Sequence, residues 1–376
     1  MSDTNTGHAI LLIDDNAQHL EELYRALELA LAGAAAIVRW SPAPDDHPME
    51  VFNRLIDEHP IRLVITDYDL TSQGKLGLFG ATVVDWCQLH ALPVGDFSRN
   101  HISSLAREPN LFELRIPIDT PQIAATFIAH VFDGFVQVRT AVDEKASLMT
   151  HRSPAAALAD LLNAPHLITQ FSQYGVRYGG ANASLVDVFQ KRVPMSDDGL
   201  EDERKRTERQ KKVLAYIMGH LLINGVMRFP GPLVNAGALA AFLAVSSEEV
   251  AQIGQLFAAT RYDGPFGELE SYWWTDRVEQ LLEGYRHQLA NDAAFGSPGA
   301  ERRALLELAL NRAMTRDTAC PRCQGKEGGF QCPYTYRAVC QRGDCSVVSN
   351  IWIPPGARLA RFEREFYDEW APILGM

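Results

Sequence analysis

The 376 residues predict an α/β fold at the amino-terminal end, a doubly wound parallel sheet, followed by a mainly helical region and a small cysteine-rich module. Two apolar runs carry the first part of this reading. Ala9-Ile-Leu-Leu-Ile13 ends in Asp14-Asp15, and Ile61-Arg-Leu-Val-Ile65 ends in Thr66-Asp67-Tyr68-Asp69, with helical periodicity between them. Continuous apolar runs suit strands buried on both faces, and strands alternating with helices build a parallel sheet. The cysteines carry the last part: five of the six fall between Cys320 and Cys345, and Cys87 stands apart.

Taken in order, Leu20, Leu23, Tyr24, Leu27 and Leu31 share one face of a helix after the first strand. Ile37-Val38 is the second strand and Ile61–Ile65 the third. Asp14, Asp15 and Asp67 then stand at the carboxyl edge of the sheet, where doubly wound folds open their working crevice. Carboxylates gathered there repel one another unless a cation holds them, and hard oxygen ligands suit Mg²⁺. The plainer alternative is that these acids cap the next helix or face solvent.

The stretches LLIDDN (11–16), LVITDYDL (63–70), LPVGDFS (92–98) and RIPID (115–119) resemble the receiver domain of bacterial response regulators, over about residues 8–135. The resemblance implies a flavodoxin-like sheet and a place in a two-component phosphorelay, with a histidine kinase or other signalling protein as partner. It implies Asp67 as phospho-acceptor, Asp14 and Asp15 as the acidic pair, and Mg²⁺ held by Asp15, Asp67 and the backbone carbonyl of Asp69. Ser98 falls where the family has a hydroxyl that contacts the phosphoryl group. A carboxylate accepts a phosphoryl group when metal offsets the anionic charge.

This sequence departs from the family at several positions. The family's Lys before the Pro of the fifth strand is Ile116 here, before Pro117. Arg115 is adjacent, but neighbouring strand residues point to opposite faces; Arg99, beside Ser98, is the candidate substitute cation. The loop after Asp67 is lengthened as TSQGKLGLFG (71–80), the segment from Ser98 to Pro117 is short, and Phe112 or Glu113 stands near the family's aromatic switch position.

Between the ends, KRVPMSDDGL (191–200) reads as a linker. EDERKRTERQKK (201–212) holds six basic and four acidic residues and runs into Val213, Leu214, Ile217 and Leu221 at helical spacing. A solvated helix end stitched by intrahelical ion pairs is the simpler reading, and a nucleic-acid contact the sharper one. Residues 237–245 form a short helix, Ser246-Ser247 a turn and N-cap, and 248–259 a second helix with Glu248 and Glu249 in its first turn. A tight turn at 261–266 and Tyr272-Trp-Trp274 follow, and the whole is similar to a winged helix. Its outward Glu248, Glu249, Gln252 and Gln255, with no cation before Arg261, favour protein docking over base readout. Trp273 and Trp274 read either as core or as a pair of which one packs and the other reaches the surface as an anchor.

Cys320-Pro-Arg-Cys323 and Cys340-Gln-Arg-Gly-Asp-Cys345, 16 residues apart, are two knuckles that close a tetrahedral site. Four thiolates suit structural Zn²⁺, and the module resembles a zinc ribbon. Cys332 remains an alternative ligand to Cys340 or Cys345, and an iron–sulfur cluster the minor alternative to zinc. Cys87, on a helix, reads as a small core residue.

The chain therefore divides into a receiver-like domain (1–140), a helical linker region (141–230), a winged-helix-like domain (231–295) and a zinc-ribbon domain with a C-terminal helix (315–376). Of the net charge of −12, residues 1–140 contribute −10, from 9 basic and 19 acidic side chains. That domain repels nucleic acid and anionic membrane, so any DNA contact belongs to the remainder. No apolar run reaches the roughly 18 residues a bilayer span needs, and the acidic start has no signal-peptide pattern. A cytoplasmic location and no membrane partner are expected. No Walker A, nucleophile elbow, HExxH or kinase signature is present, so no enzymatic activity of its own is expected. The reading that results is a response-regulator-like protein whose receiver controls a winged-helix and zinc-ribbon output, with DNA as one candidate target. The alternative is a non-phosphorylated pseudo-receiver scaffold for protein–protein interactions.

Overall fold

Five strands form one parallel sheet in the order β2-β1-β3-β4-β5: β1 (Ala9–Ile13), β2 (Ala36–Trp40), β3 (Ile61–Thr66), β4 (Val94–Asp96) and β5 (Leu114–Arg115). This is the flavodoxin-like order. The computed structural model describes residues 7–43, 46–67, 69–70, 78–97, 112–117, 119–175, 203–289, 294–315, 320, 322–323, 329–349 and 352–374. The chain falls into two compact units, one of 1–157 with 183–220 and one of 158–182 with 221–376.

In the first unit every side chain of β1 is buried, as its unbroken apolar run requires, while the edge strand β2 is largely open. Helix α1 (Ala17–Leu31) is capped by Asn16, whose side chain accepts from the N–H groups of Gln18 and His19. Its buried face is Leu20, Leu23, Ala26, Leu27 and Leu31; Tyr24 instead lies at the rim beneath the Arg39 guanidinium. Helices α2 (Pro48–Glu58) and α3 (Gly80–Leu89) complete the alternation, and Cys87 on α3 is fully buried in the core. Burial pushes its thiol pKa far up, as suits a core residue rather than a nucleophile.

Helix α4 (Pro121–Glu144) begins at a Thr120 cap with Pro121 at its first turn and packs on α1. After α5 (Pro154–Leu161) and α6 (Ile168–Tyr174), the charged segment enters α7 (Glu203–His220), which packs on α4. The close approach needs Gly219, where a Cβ would collide with the Phe135 ring. The ion pairs of this segment are not only intrahelical: Glu208 binds Arg139 at 2.8 Å and Lys211 reaches Asp143 at 3.5 Å, both on α4.

In the second unit, β6 (Leu233–Asn235) pairs antiparallel with β7 (Tyr272–Trp274) and leads into α8 (Ala236–Leu243), capped by Asn235. Helix α9 (Ser247–Ile253) follows a three-residue turn, bent by 99° from α8. α10 (Thr275–Glu283) and α11 (Pro298–Leu310) pack around the same core. Trp273 and Trp274 are both buried, so the pair is core and neither reaches the surface as an anchor: β7 is covered on both faces. The cysteine-rich part adds the hairpin β8 (Phe330–Gln331) and β9 (Ala338–Val339), then β10 (Ser346–Val347) paired with β11 (Phe362–Glu363). Helix α12 (Arg364–Leu374) closes the chain against it, its Phe366 stacked on Tyr334 with ring centres 5.4 Å apart. Among the described residues no single helix is long and apolar enough to cross a membrane.

Candidate metal centres

The acids at the sheet's carboxyl edge are carried there by two adjacent strands. Ile13 of β1 lies opposite Thr66 of β3, and the ladder runs on past both ends: the Asp67 N–H donates to Ile13 O at 2.9 Å and the Asp14 N–H to Trp40 O at 3.3 Å. Asp14, Asp15 and Asp67 thereby bring one carboxylate oxygen each to within 4.8 Å of one another. Asp14 and Asp15 are 7% and 3% exposed, Asp67 partly open. The helix cap at this point is Asn16, so Asp14 and Asp15 are not spent on capping α1; Asp14 Oδ1 accepts the neighbouring Asn16 N–H, at 2.7 Å, in a local turn. Hard oxygen donors converging at this spacing are a fit set for a small divalent cation.

The side chain of Asp69 is exposed and stands outside this carboxylate group. Ser98 and Arg99 lie outside the described residues. Ile116, at the family's Lys position, is 6% exposed, and its side chain fills the space that Gly95 leaves open on β4. A Cβ on Gly95 would fall 2.7 Å from Ile116 Cδ1 and 3.0 Å from Ile65 Cδ1. The position is thus apolar packing, while the Arg115 side chain is exposed. Phe112 is buried and stacked on Tyr216, ring centres 5.1 Å apart.

Cys320, Cys323, Cys340 and Cys345 bring their sulfurs within 4.8 Å of one another, a set that can hold a metal such as zinc. The Cys323 and Cys340 sulfurs are 3.8 Å apart. A tetrahedron with Zn–S bonds of about 2.3 Å has edges of about 3.8 Å, so this pair has the spacing a closed zinc site needs. Cys332 is fully buried but is not in this group; its backbone N–H and C=O close the β8–β9 turn with Arg337 and Tyr336. The four thiols are not equivalent. Burial works against ionising Cys320, but the N–H groups of Cys323 and Arg322 outweigh it and lower its pKa. Burial, then hydrogen bonding with Cys320 and Cys323, pushes Cys345 well up. A closed four-sulfur set leaves no open coordination position, which suits a structural role.

The helix pair α8 and α9 has the angle of a helix-turn-helix, but α9 is shorter than the sequence predicts and ends at Ile253. Glu249 does not face outward. It is 4% exposed, and its carboxylate accepts from the Arg312 guanidinium at 2.8 Å and from the Thr315 N–H at 2.9 Å. Those hydrogen bonds, Arg312 first, hold its pKa down to about 2. Gln252 also accepts from Arg312, at 3.4 Å. The acidic first turn of α9 is therefore partly a tie to the segment after α11. No local pattern announces it, since the partners are 63 residues apart. No protein-family model matches the chain, and no curated protein matches it in sequence.

Proposed function

We propose that the first unit is a receiver-like signalling module that binds Mg²⁺ at Asp14, Asp15 and Asp67 and accepts a phosphoryl group on Asp67. The observation that carries this is the convergence of three acids from two parallel strands at the carboxyl edge of a 2-1-3-4-5 sheet. An Asp67 carboxylate oxygen attacks phosphorus in a phosphohistidine or acyl phosphate. The P–N or P–O bond breaks, its electron pair leaves with the donor, and an aspartyl phosphate forms. Mg²⁺, when bound, supplies positive charge against the phosphoryl oxygens. Asp14 and Asp15 hold the cation, and the ladder bond from Asp67 N–H to Ile13 O keeps the acceptor in register with them. Beryllofluoride or acetyl phosphate with Mg²⁺ should give an adduct at Asp67 by mass spectrometry, absent in Asp67→Asn; no adduct in the native chain would refute the transfer.

A second reading is favoured by Ile116. An apolar side chain packed over Gly95 offers no cation to a phosphoryl group, which supports a pseudo-receiver that docks partners without being phosphorylated. The second unit is then the output in either case, a winged-helix-like helix pair joined to a zinc ribbon that stands on four thiolates. Its leading helix presents Glu248 and Gln252 but no Lys or Arg, which supports a protein partner over DNA. A DNA shift at low salt that weakens steeply as salt rises would overturn that preference.

A further inference from the structure

A second concentration of charge lies at the opposite edge of the same sheet. Arg62 at the start of β3, Leu92 just before β4, Phe135 and Arg139 on α4, and Lys212 and Tyr216 on α7 line one cleft. Because α4 returns antiparallel to the strands, its carboxyl half reaches the amino edge, far along the sheet from the acids. The cleft encloses about 360 Å³ with its open mouth, and the space that admits whole water molecules is about 30 Å³. By volume that is room for about two waters, or for one small oxyanion.

Its charges do not balance. Arg139 binds Asp143 and Glu208, each at 2.8 Å, and Lys211 reaches the same two acids at 3.5 and 3.4 Å. Arg62 and Lys212 are then two cations beyond those acids. Among the described residues neither has a carboxylate within ion-pair distance, and Arg62 Nε donates only to His8 Nδ1, at 3.4 Å. The neighbouring groups register the surplus. Burial, then Arg62 and Arg139, push Lys212 down to about 8, and burial followed by Arg139 lowers Arg62. His8 is lowered by burial and Arg62, His90 by burial and Lys212. Asp143 and Glu208 act on Arg62 in the opposite, raising direction. Two acids shared among Arg62, Arg139, Lys211 and Lys212 still leave the cluster two positive charges in excess, which is costly for half-buried groups unless an anion joins them.

We propose that this cleft binds a small doubly charged oxyanion, phosphate or the phosphate head of a monoester, through Arg62 and Lys212. Arg62 supplies a planar fork that matches two phosphate oxygens, Lys212 a point charge. Arg139 lines the same cleft but is already held by Asp143 and Glu208. Phe135, Tyr216 and Leu92, all buried, give the cleft an apolar lining that an ester's body could contact. The site is independent of the acids at the other edge.

The test is calorimetric titration of the full chain with inorganic phosphate and, separately, with phenyl phosphate, in Mg²⁺-free buffer of low ionic strength. Saturable binding of one anion per chain is expected, unchanged in Asp67→Asn, weakened at least tenfold in Arg62→Gln and in Lys212→Gln, and largely kept in Lys212→Arg. Tighter binding of phenyl phosphate assigns the site to an ester; equal or weaker binding assigns it to the free ion. No saturable heat from either probe up to about 20 mM, or affinity unchanged from the native chain in both Gln variants, overturns the proposal. If Lys212→Gln does not fold, the native chain still decides: phosphate should slow acetylation of Lys212 by acetic anhydride, read by peptide mass spectrometry, and absence of protection overturns the site.

Discussion

Replacing Asp15 by Asn in the acid cluster should stabilise the first unit without metal and abolish its response to metal. The three carboxylate oxygens lie no more than 4.8 Å apart. Two unit charges at that separation repel by about 3.5 kcal/mol at an effective dielectric of about 20. Asp15 takes part in two of the three pairs, so removing its charge relieves about 7 kcal/mol of gross repulsion. Water and hydrogen-bond donors such as the Asn16 N–H already offset most of this. A net gain of about 1–2 kcal/mol is expected, which for a unit of this size is roughly 2–8 °C in Tm. The native chain should instead gain from Mg²⁺. At about 10 mM cation and a Kd of about 1 mM, linkage gives about 1.4 kcal/mol. The assay is differential scanning calorimetry of both proteins in metal-free buffer and again with Mg²⁺, following the transition of the first unit. A variant less stable than the native chain without metal, together with equal Mg²⁺ shifts in both, would refute the idea that these carboxylates form a cation site.

Cys340→Ser should lower bound zinc from about one per chain to well below one, measured by plasma mass spectrometry, and unfold the cysteine-rich part; unchanged zinc would reassign the ligand set. Glu249→Gln should cost about 1–3 kcal/mol at pH 7, because it loosens a buried carboxylate from a half-exposed Arg312. Since the folded pKa lies near 2 and the unfolded one near 4.3, the native contribution is complete above about pH 5 and fades as pH falls toward 2. The variant's acid-unfolding profile should be shallower over that window, and parallel profiles would refute the assignment. Gly95→Ala should cost about 1–3 kcal/mol by overpacking against Ile116, and Ile116→Val alone about 0.5–1.5 kcal/mol. Together they should cost less than their sum, since Val lacks the Cδ1 that the added methyl on β4 would strike; strict additivity in urea unfolding would show that the two side chains do not meet.

The parts of this protein legible in its sequence are those where a local pattern has one structural solution. The unbroken apolar run of β1 had to be a central strand, and two acids after β1 with one after β3 had to meet once those strands paired in register. The four-thiol set was legible for a similar reason: two short knuckles fix their sulfurs locally, and only the pairing of knuckles is left to the fold. Other features have no such pattern. An acidic first turn complements the helix dipole whether it faces water or a distant arginine, so Glu249 looked outward until Arg312 was placed beside it. The charged start of α7 fits intrahelical pairing as well as pairing to α4, and only the packing chooses. Trp273 and Trp274 alternate across a strand, which exposes one of them only if one face of that strand is bare; β7 is covered on both.

Ile116 decides how far the receiver analogy can be carried. With Mg²⁺ bound, Asp14, Asp15 and Asp67 together hold a net charge of about −1; converting Asp67 to its phosphorylated form takes the site to about −2. A Lys in place of Ile116 would return it to about −1, and its absence leaves a unit charge that, at about 4 Å and a dielectric of about 20, amounts to as much as 4 kcal/mol of lost attraction. Gly95 explains why a Lys at position 116 would not be accommodated lightly. The Ile side chain occupies the volume a glycine leaves on the neighbouring strand, so the two residues form one packing unit. Ile116→Lys alone would take this apolar contact away, whereas Gly95→Ser with Ile116→Lys gives the new side chain a polar neighbour. If phosphoryl transfer to Asp67 limits this protein, the double variant should form the acetyl phosphate adduct faster than the native chain. If the unit is a docking module, adduct formation should stay absent in both while Mg²⁺ still raises the Tm.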